Sequence, residues 1–190
     1  MREDRSPDGR RRRAPKPLNR VTFEEIALAY VARFTTTAAK FERYLIRKLR
    51  ERGWEDEGEP PVATTVERYV ELGYVDDAAF ARIKAGSLLR RGYVARRVSR
   101  ALGEAGVDET VRRDVAPGEG EAREAALTYA RRRRFGPFGA GPPDAALREK
   151  QLAAMVRAGH GFDAARALVD AANEAEAGLW VAEASEEEEG

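Results

Sequence analysis

The chain has 190 residues and a mass of 21.1 kDa, which suits one compact domain or a short array of small helical units. Hydrophobic residues make up 43% of it, so it can bury a core, and the absence of cysteine excludes disulfides and thiolate chemistry. No run approaches the roughly 18 apolar residues that span a membrane, and no apolar signal region follows the basic N-terminus. We therefore expect a cytoplasmic protein that does not enter a membrane.

The net charge of +1 hides an asymmetry between the two ends of the chain. Residues 1–21 contain the run Arg10–Arg13, together with prolines that interrupt any periodicity. Residues 178–190 contain Glu183 and Glu186–Glu189 and no basic residue. Such segments rarely bury enough apolar surface to fold, so we predict a disordered basic arm over 1–21 and a disordered acidic tail over 178–190.

Residues 22–60 are predicted to form the first, partial three-helix unit. Thr22–Glu25 has the Thr-x-x-Glu pattern of a capping box, in which each side chain pairs with a free backbone N–H. Thr35–Thr37 interrupts the first helix and can cap the second, which Gly53 ends before Pro60–Pro61. Apolar residues recur at helical spacing along both helices: Ile26, Tyr30, Phe34, Phe41, Leu45 and Leu49.

Residues 61–115 are predicted to form the second unit. Thr64–Glu67 reads as another capping box, and Asp76 is a good N-cap for the helix that follows Gly73. Gly92 and Gly106 punctuate the rest of the unit. The predicted inward faces carry Val66, Tyr69, Val70, Phe80, Ile83, Leu88, Val98 and Leu102. Among these we expect Tyr69, Phe80 and Leu102 to be core residues.

Residues 119–177 are predicted to form the third unit. A helix to Arg134 is followed by the Gly/Pro-rich loop 135–143, a helix capped by Asp144, a turn at Gly159–Gly161 and a last helix that begins near Phe162. Arg91–Val98 is similar to His160–Ala167, with glycine and an aromatic residue at matching places. We interpret this as an internal repeat, so the predicted fold is all-α, with three tandem three-helix units.

Signals for catalysis are weak. His160 is the only histidine and stands between two glycines in a turn, so a histidine-based triad or a zinc site has few partners. Asp76 and Asp77 could hold a divalent metal, but an N-cap and a first-turn acid explain both. The glycine-rich loop lacks the Gly-Lys-Ser/Thr of a phosphate-binding loop. We therefore predict a non-enzymatic protein that needs no cofactor and no metal.

Basic residues at helical spacing are the clearer signal for function. Each predicted unit carries one basic stripe, and arginine suits bidentate contacts to carboxylate or phosphate. A single stripe is usually a solvated face, but three favour a polyanionic or acidic protein partner. The candidate partner-binding residues are Lys40, Arg43, Arg47, Arg50, Arg90, Arg91, Arg96, Arg97, Arg100, Arg131, Arg132, Arg133 and Arg134. No sequence motif for reading specific nucleic-acid sequences is present.

The stretch Tyr69–Ala81, which reads Tyr-Val-Glu-Leu-Gly-Tyr-Val-Asp-Asp-Ala-Ala-Phe-Ala, resembles the central signature of the RecX family. Arg91-Gly92, Val98, Leu102 and Gly106-Val107 continue the pattern in register. The resemblance covers about residues 22–173 and is looser in the first and third units. The basic arm, the Gly/Pro-rich loop after Arg134, the Gly159/Gly161 turn and the acidic tail depart from the family pattern.

The resemblance implies three tandem three-helix units in a curved, elongated array. It also implies a regulator that binds the RecA recombinase filament and mainly inhibits its recombinase, ATPase and coprotease activities, in DNA repair, homologous recombination and the SOS response. No catalytic residues are carried over, and DNA is a second candidate partner. We expect a monomer. The alternative interpretation is a general single- or double-stranded DNA-binding helical module, since basic helical arrays also suit phosphate tracking.

Overall fold

A computed structural model describes residues 16–189 of the chain, with the side chains of 185–189 left out. Within that range the protein is all helical, as predicted, and its single β-pairing is an isolated parallel bridge between Leu18 and Trp54. The α-helices are α1 Arg20–Arg33, α2 Ala38–Arg52, α3 Val62–Glu71, α4 Asp77–Leu89, α5 Ala95–Glu104, α6 Glu109–Asp114, α7 Glu119–Arg133, α8 Ala145–Ala158, α9 Phe162–Val169 and α10 Glu174–Glu189, with a short 3-10 helix at Gly136–Phe138.

The first apolar cluster joins α1, α2 and α3. Phe23, Phe41 and Leu45 are fully buried in it, and Tyr69 of α3 packs edge-on against Phe41 with 5.3 Å between ring centroids. The apolar face of α3, the helix that we placed at the start of unit 2, packs against α2 in this first cluster. Leu18 is also fully buried here, so the residues from 16 onward are ordered, while residues 1–15 of the predicted basic arm lie outside the described residues.

The second cluster joins α4, α5 and α6. Its buried residues include Phe80, Leu88, Val98 and Leu102, and Val111 of α6 packs against them. The burial of Tyr69, Phe80 and Leu102 is as predicted, at 3%, 8% and 0% exposure. The predicted inward positions Val70 and Ile83 are wrong, because those side chains point to solvent on the outer faces of α3 and α4.

The third cluster joins α7, α8, α9 and α10. Leu152, Met155 and Leu168 form its centre, and Ala177 and Val181 of α10 are buried against it. The predicted disorder of residues 178–190 is therefore wrong for the described part of that segment. Apolar residues at positions 177, 180, 181 and 184 lie on one helical face, and that face gives the acidic segment a surface to bury.

Helix caps explain where several helices begin. Thr37, Asp76 and Asp144 each accept a hydrogen bond from the third residue after them, as predicted. The predicted cap at Thr22 is wrong: Asn19 is the N-cap of α1, and its side chain and that of Thr22 form the reciprocal capping pair. The predicted capping box at Thr64 is also wrong, because α3 already begins at Val62, after two prolines.

Glycine turns connect the helices and bring units 2 and 3 into contact. The α4–α5 turn contains Gly92 and the α8–α9 turn contains Gly159, both with positive φ. At Gly92 a Cβ atom would lie 3.0 Å from the backbone nitrogen of Tyr129, so only glycine allows this approach of α7. Each of these glycines ends its helix with the same kind of backbone hydrogen bond, from Gly92 to Leu89 and from Gly159 to Val156.

Units 1 and 2 are joined by polar contacts at the start of α2. Thr37 Oγ1 donates a 2.6 Å hydrogen bond to the carbonyl of Ala105, and Asp77 Oδ1 accepts one of 2.8 Å from the backbone N–H of Ala38. Both bonds hold the start of α2 against unit 2. No helix among the described residues is long and apolar enough to cross a membrane.

Candidate functional site

The basic stripe of α2 is partly used to join units 1 and 2. Lys40 Nζ lies 4.8 Å from the ring centroid of Phe80, and Arg43 Nη2 donates to the carbonyls of Glu104 and Ala105 at 3.3 and 3.4 Å. Arg47 is paired with Glu51, whereas Arg50 is exposed and forms no ion pair with a described side chain. The four predicted contact residues of this stripe thus have three different environments.

One arginine of the α4–α5 turn and one of α5 lie over the ring of Tyr93. The guanidinium carbons of Arg91 and Arg97 lie 5.4 and 4.4 Å from its ring centroid, within the range of cation–π contacts. The side chain of Arg90 folds back over Gly86, and Arg100 forms a 2.9 Å ion pair with Glu104. Arg96 is exposed on the same face of α5 as Arg100.

The four arginines that end α7 point in different directions. Arg131 and Arg133 lie near the rings of Phe138 and Phe135, at 5.4 and 5.7 Å. Arg134 ends the helix in the left-handed conformation, with φ 56°. Arg132 reaches unit 2, where its Nη1 donates a 3.1 Å hydrogen bond to the carbonyl of Arg91.

A cleft between units 2 and 3 gathers one group of these residues. It has a volume of about 550 Å³. We call it the basic cleft, and the side chains that define it are Tyr93, Arg96, Arg97, Arg100, Tyr129 and Arg157. The α2 stripe does not reach it. Among the α7 arginines only Arg132 borders it: its guanidinium carbon lies 5.9 Å from the ring centroid of Tyr129, and its Nη1 donates to the carbonyl of Arg91.

The electrostatics of the basic cleft favour an anion. Arg96, Arg97 and Arg157 form no ion pair with any side chain that the structure describes. Three neighbouring guanidinium groups repel one another, and an incoming carboxylate or phosphate removes that repulsion while it accepts charge-assisted hydrogen bonds. The cleft is therefore suited to binding an acidic group from a partner.

Arg157, Tyr93 and Tyr129 were not among the predicted contact residues. Arg157 stands alone in the last turn of α8, so no stripe points to it in the sequence. Its position two residues before Gly159 resembles that of Arg90 before Gly92, and both glycines end a helix with positive φ. The tyrosines follow from no sequence pattern, because the close approach of α7 to Gly92 brings them together.

The side chains that we considered as catalytic candidates cap helices or pack against other residues of the fold. Asp76 caps α4 and Asp77 caps the neighbouring α2, and no group of three potential metal ligands occurs among the described residues. His160 is 6% exposed, its ring lies 5.0 Å from that of Tyr129, and its Nε2 has no hydrogen-bond partner. Burial lowers the pKa of this histidine, so its imidazole is neutral at pH 7.

The fold and the cleft define a class of protein: an all-helical series of small units with a basic cleft where two units meet. No family model matches the chain. It is 33% identical over 176 residues to the regulatory protein RecX of Myxococcus xanthus (strain DK1622), a match that covers 86% of this chain and 94% of that relative. The RecX of Stenotrophomonas maltophilia (strain R551-3) is 36% identical over 123 residues, covering 64% and 72% of the two chains.

The chain belongs to the RecX family of regulatory proteins. The fold agrees, because the crystal structure of RecX from Lactobacillus salivarius superposes with a TM-score of 0.61. That match covers 78% of this chain and 93% of the other, at 15% sequence identity, so it is evidence about the fold alone.

Proposed function

We propose that this protein binds the RecA nucleoprotein filament through the basic cleft and modulates, mainly by inhibition, the recombinase, ATPase and coprotease activities of RecA. The observation that carries the proposal is the convergence of arginines from two units, Arg96 and Arg97 of α5 with Arg157 of α8, around one cleft. A partner that contacts both sides of the cleft bridges units 2 and 3. Membership of a family of regulatory proteins supports the same role.

The remaining exposed arginines of the predicted stripes are proposed as secondary contacts. They are not lining residues of the cleft and lie on all three units: Arg47, Arg50, Arg90, Arg91 and Arg131–Arg134. A filament repeats one subunit and so presents the same surface again and again, which would let separate basic patches engage successive subunits. Lys40 and Arg43 are proposed to act indirectly, since their contacts hold units 1 and 2 together.

One feature of the cleft favours a second candidate, a general DNA-binding module. Tyr93 and Tyr129 place aromatic rings among arginines, a combination that many single-strand-binding proteins use to stack bases beside the phosphate backbone. Under this alternative the protein acts by coating DNA and needs no contact with the recombinase.

Parallel titrations separate the two candidates. The protein is titrated against preformed RecA filaments on single-stranded DNA and against the same DNA without RecA, with RecA ATP hydrolysis followed in the first series. The filament proposal predicts tight binding and reduced hydrolysis at protein concentrations where bare DNA is still free. Equal affinity for the two targets, with no effect on hydrolysis at saturation, would contradict it and favour the DNA-binding module.

A further inference from the structure

A small group of apolar side chains is exposed on α1 and just after α3. Leu28 of α1 is 47% exposed, and Leu72 and Tyr74, which follow α3, are 62% and 54% exposed. We call these three side chains the apolar patch, and none of them lines the basic cleft. The neighbouring Tyr69 and Val75 are buried, and the Tyr74 ring lies 5.7 Å from that of Tyr69. The fold buries these neighbours and leaves Leu72 and Tyr74 at the surface, where a partner can reach them.

The direction of the helices brings the patch together. At one end of α2, the backbone N–H of Leu18, just before α1, donates a 3.0 Å hydrogen bond to the carbonyl of Gly53. At the other end of α2, the ring of Phe41 lies 5.9 Å from that of Tyr30 in α1 and 5.3 Å from that of Tyr69 in α3. Both α1 and α3 therefore end beside the start of α2, so the two helices run in the same direction.

A contact between α1 and α3 sets their register. Glu24 of α1 is paired with Arg68 of α3, and it accepts a 2.8 Å hydrogen bond from the Tyr69 hydroxyl. Leu28 lies one helical turn after Glu24, and Leu72 lies one turn after Arg68. Because the two helices are parallel, both leucines follow this ion pair on the same side. The third member of the patch is at that end too, beside Tyr69.

Acidic residues border the apolar patch. Glu25 lies one turn before Leu28 on α1, and Glu71 directly precedes Leu72. Both glutamates are exposed, and neither forms an ion pair with a side chain that the structure describes. This acidic border repels a phosphate backbone, and it equally repels a second copy of itself. Basic residues of a protein partner complement it.

We propose that the apolar patch and its acidic border bind a segment of the protein partner in which an apolar anchor is flanked by lysine or arginine. Exposed apolar patches with a polar rim mark protein-binding sites, and a few buried apolar anchors carry most of the binding energy there. The inference rests on the proposed function: the basic cleft takes acidic groups of the filament, and the apolar patch takes a basic segment of it. Two sites of opposite charge fix the direction in which the protein lies along a filament of repeated subunits.

Apolar variants test the anchor. Leu72→Ala/Tyr74→Ala should weaken binding to RecA filaments about tenfold, and the loss should change little with salt because apolar contacts are not screened. The matched control, Phe162→Ala/Leu179→Ala, removes an exposed aromatic ring and an exposed leucine from α9 and α10, and it should bind like the wild type. Circular dichroism checks that both variants keep their helix content.

Equal filament affinity of the patch variant and its control would overturn the inference. If arginine variants of the basic cleft still fail to bind filaments in that case, the proposed function stands. Normal filament binding by the arginine variants would contradict the proposed function instead.

Charge reversal tests the acidic border. Glu25→Lys/Glu71→Lys changes two exposed side chains and leaves the apolar patch and the basic cleft intact. Filament affinity should fall at low salt, and the loss should shrink as salt screens the charges. The same variant should bind bare single-stranded DNA at least as well as the wild type, because it gains positive charge. Filament affinity that is unchanged, or that rises together with DNA affinity, would overturn the proposal.

Two other occupants of the patch give different results. If the basic arm of this chain covered it, removing residues 1–15 would raise filament affinity. If a second copy of the chain covered it, the wild type would sediment as a dimer at concentrations where Leu72→Ala/Tyr74→Ala is monomeric. Either result would overturn the proposal. We expect the shortened chain to gain no affinity, and the wild type and the patch variant to sediment alike.

Discussion

Asp77 Oδ1 accepts a 2.8 Å hydrogen bond from the backbone N–H of Ala38, a residue 39 positions earlier in the chain. The neighbouring Asp76 accepts from Ala79 within its own helix, so the two adjacent carboxylates cap two different helices. One of them starts α4 and the other fixes α2 of the preceding unit. The Asp-Asp pair of the RecX-like signature is thus a joint between units 1 and 2.

This joint predicts that Asp77→Ala lowers the free energy of unfolding by about 1–2 kcal/mol, the range for loss of a helix cap. Asp77→Asn keeps an acceptor oxygen and should cost less than half as much. Urea unfolding followed by circular dichroism measures both changes. An Asp77→Ala variant as stable as the wild type would show that the bond does not hold the units together.

Phe80 links the core of unit 2 to the basic stripe of unit 1. It is 8% exposed, packs in the second apolar cluster and carries Lys40 Nζ over its ring. Phe80→Ala should destabilise the protein by about 3–5 kcal/mol, through lost burial and the cavity left behind. Thermal unfolding measures the change, and Ile83→Ala, on the exposed face of the same helix, is the control that should change little.

His160 predicts a pH dependence of stability. Burial lowers its pKa in the folded protein, so the unfolded chain binds a proton more readily. Stability should therefore be unaffected by this residue well above pH 6.5, the ordinary histidine value, and should fall as the pH drops below about 6.5. The carboxyl groups with lowered pKa, such as Asp170 beside Arg148, act only at still lower pH.

Urea unfolding at pH 7.5 and pH 5.0 measures that dependence. The wild type should be less stable at pH 5.0, and His160→Phe should remove most of the difference because the chain has no other histidine. A wild-type stability that is equal at the two pH values would contradict the burial of a neutral imidazole.

The contacts that Arg123 of α7 makes with Trp180 predict how α10 is held against the third unit. Its guanidinium lies over Trp180, and its Nη1 donates to the Trp180 carbonyl at 2.8 Å. Arg123→Ala should loosen α10 and move the fluorescence of Trp180 to longer wavelength, measured in a Trp54→Phe background so that one tryptophan reports. Arg123→Lys keeps the charge but not the planar fork, and it should shift the emission part of the way. Unchanged emission in both variants would mean that the apolar face alone holds α10.

Local sequence signals predicted most of the fold, because the start and end of a helix depend on residues that are close in the chain. Thr37, Asp76 and Asp144 cap as predicted, and Tyr69, Phe80 and Leu102 are buried as predicted. Other predictions failed where contacts between distant residues decide the structure. The segment from 178 onward has a disordered-like charge pattern, yet Ala177, Trp180 and Val181 bury a face of α10 against the third unit.

The candidate site was less predictable than the fold. Arg96 and Arg100 stand out in the sequence because they share one helical face, with Arg97 close by. Tyr129 joins them because Gly92 allows α7 to approach the α4–α5 turn. Arg157 joins them from the last turn of α8, where Gly159 lies against Val94. A stripe shows which residues share a helix face, but it does not show which helices from different units face one cleft.

The most direct test of the account is filament binding by the variant Arg96→Ala/Arg97→Ala/Arg157→Ala. Its matched control, Arg82→Ala/Lys84→Ala/Lys150→Ala, removes the same charge from exposed positions outside the cleft. The cleft variant should keep its helix content and inhibit RecA ATP hydrolysis poorly. Its deficit should be largest at low salt, because the Debye length falls from about 10 Å at 0.1 M to about 3 Å at 1 M. The control should inhibit like the wild type. A cleft variant that inhibits as well as the control at every salt concentration would contradict the central claim.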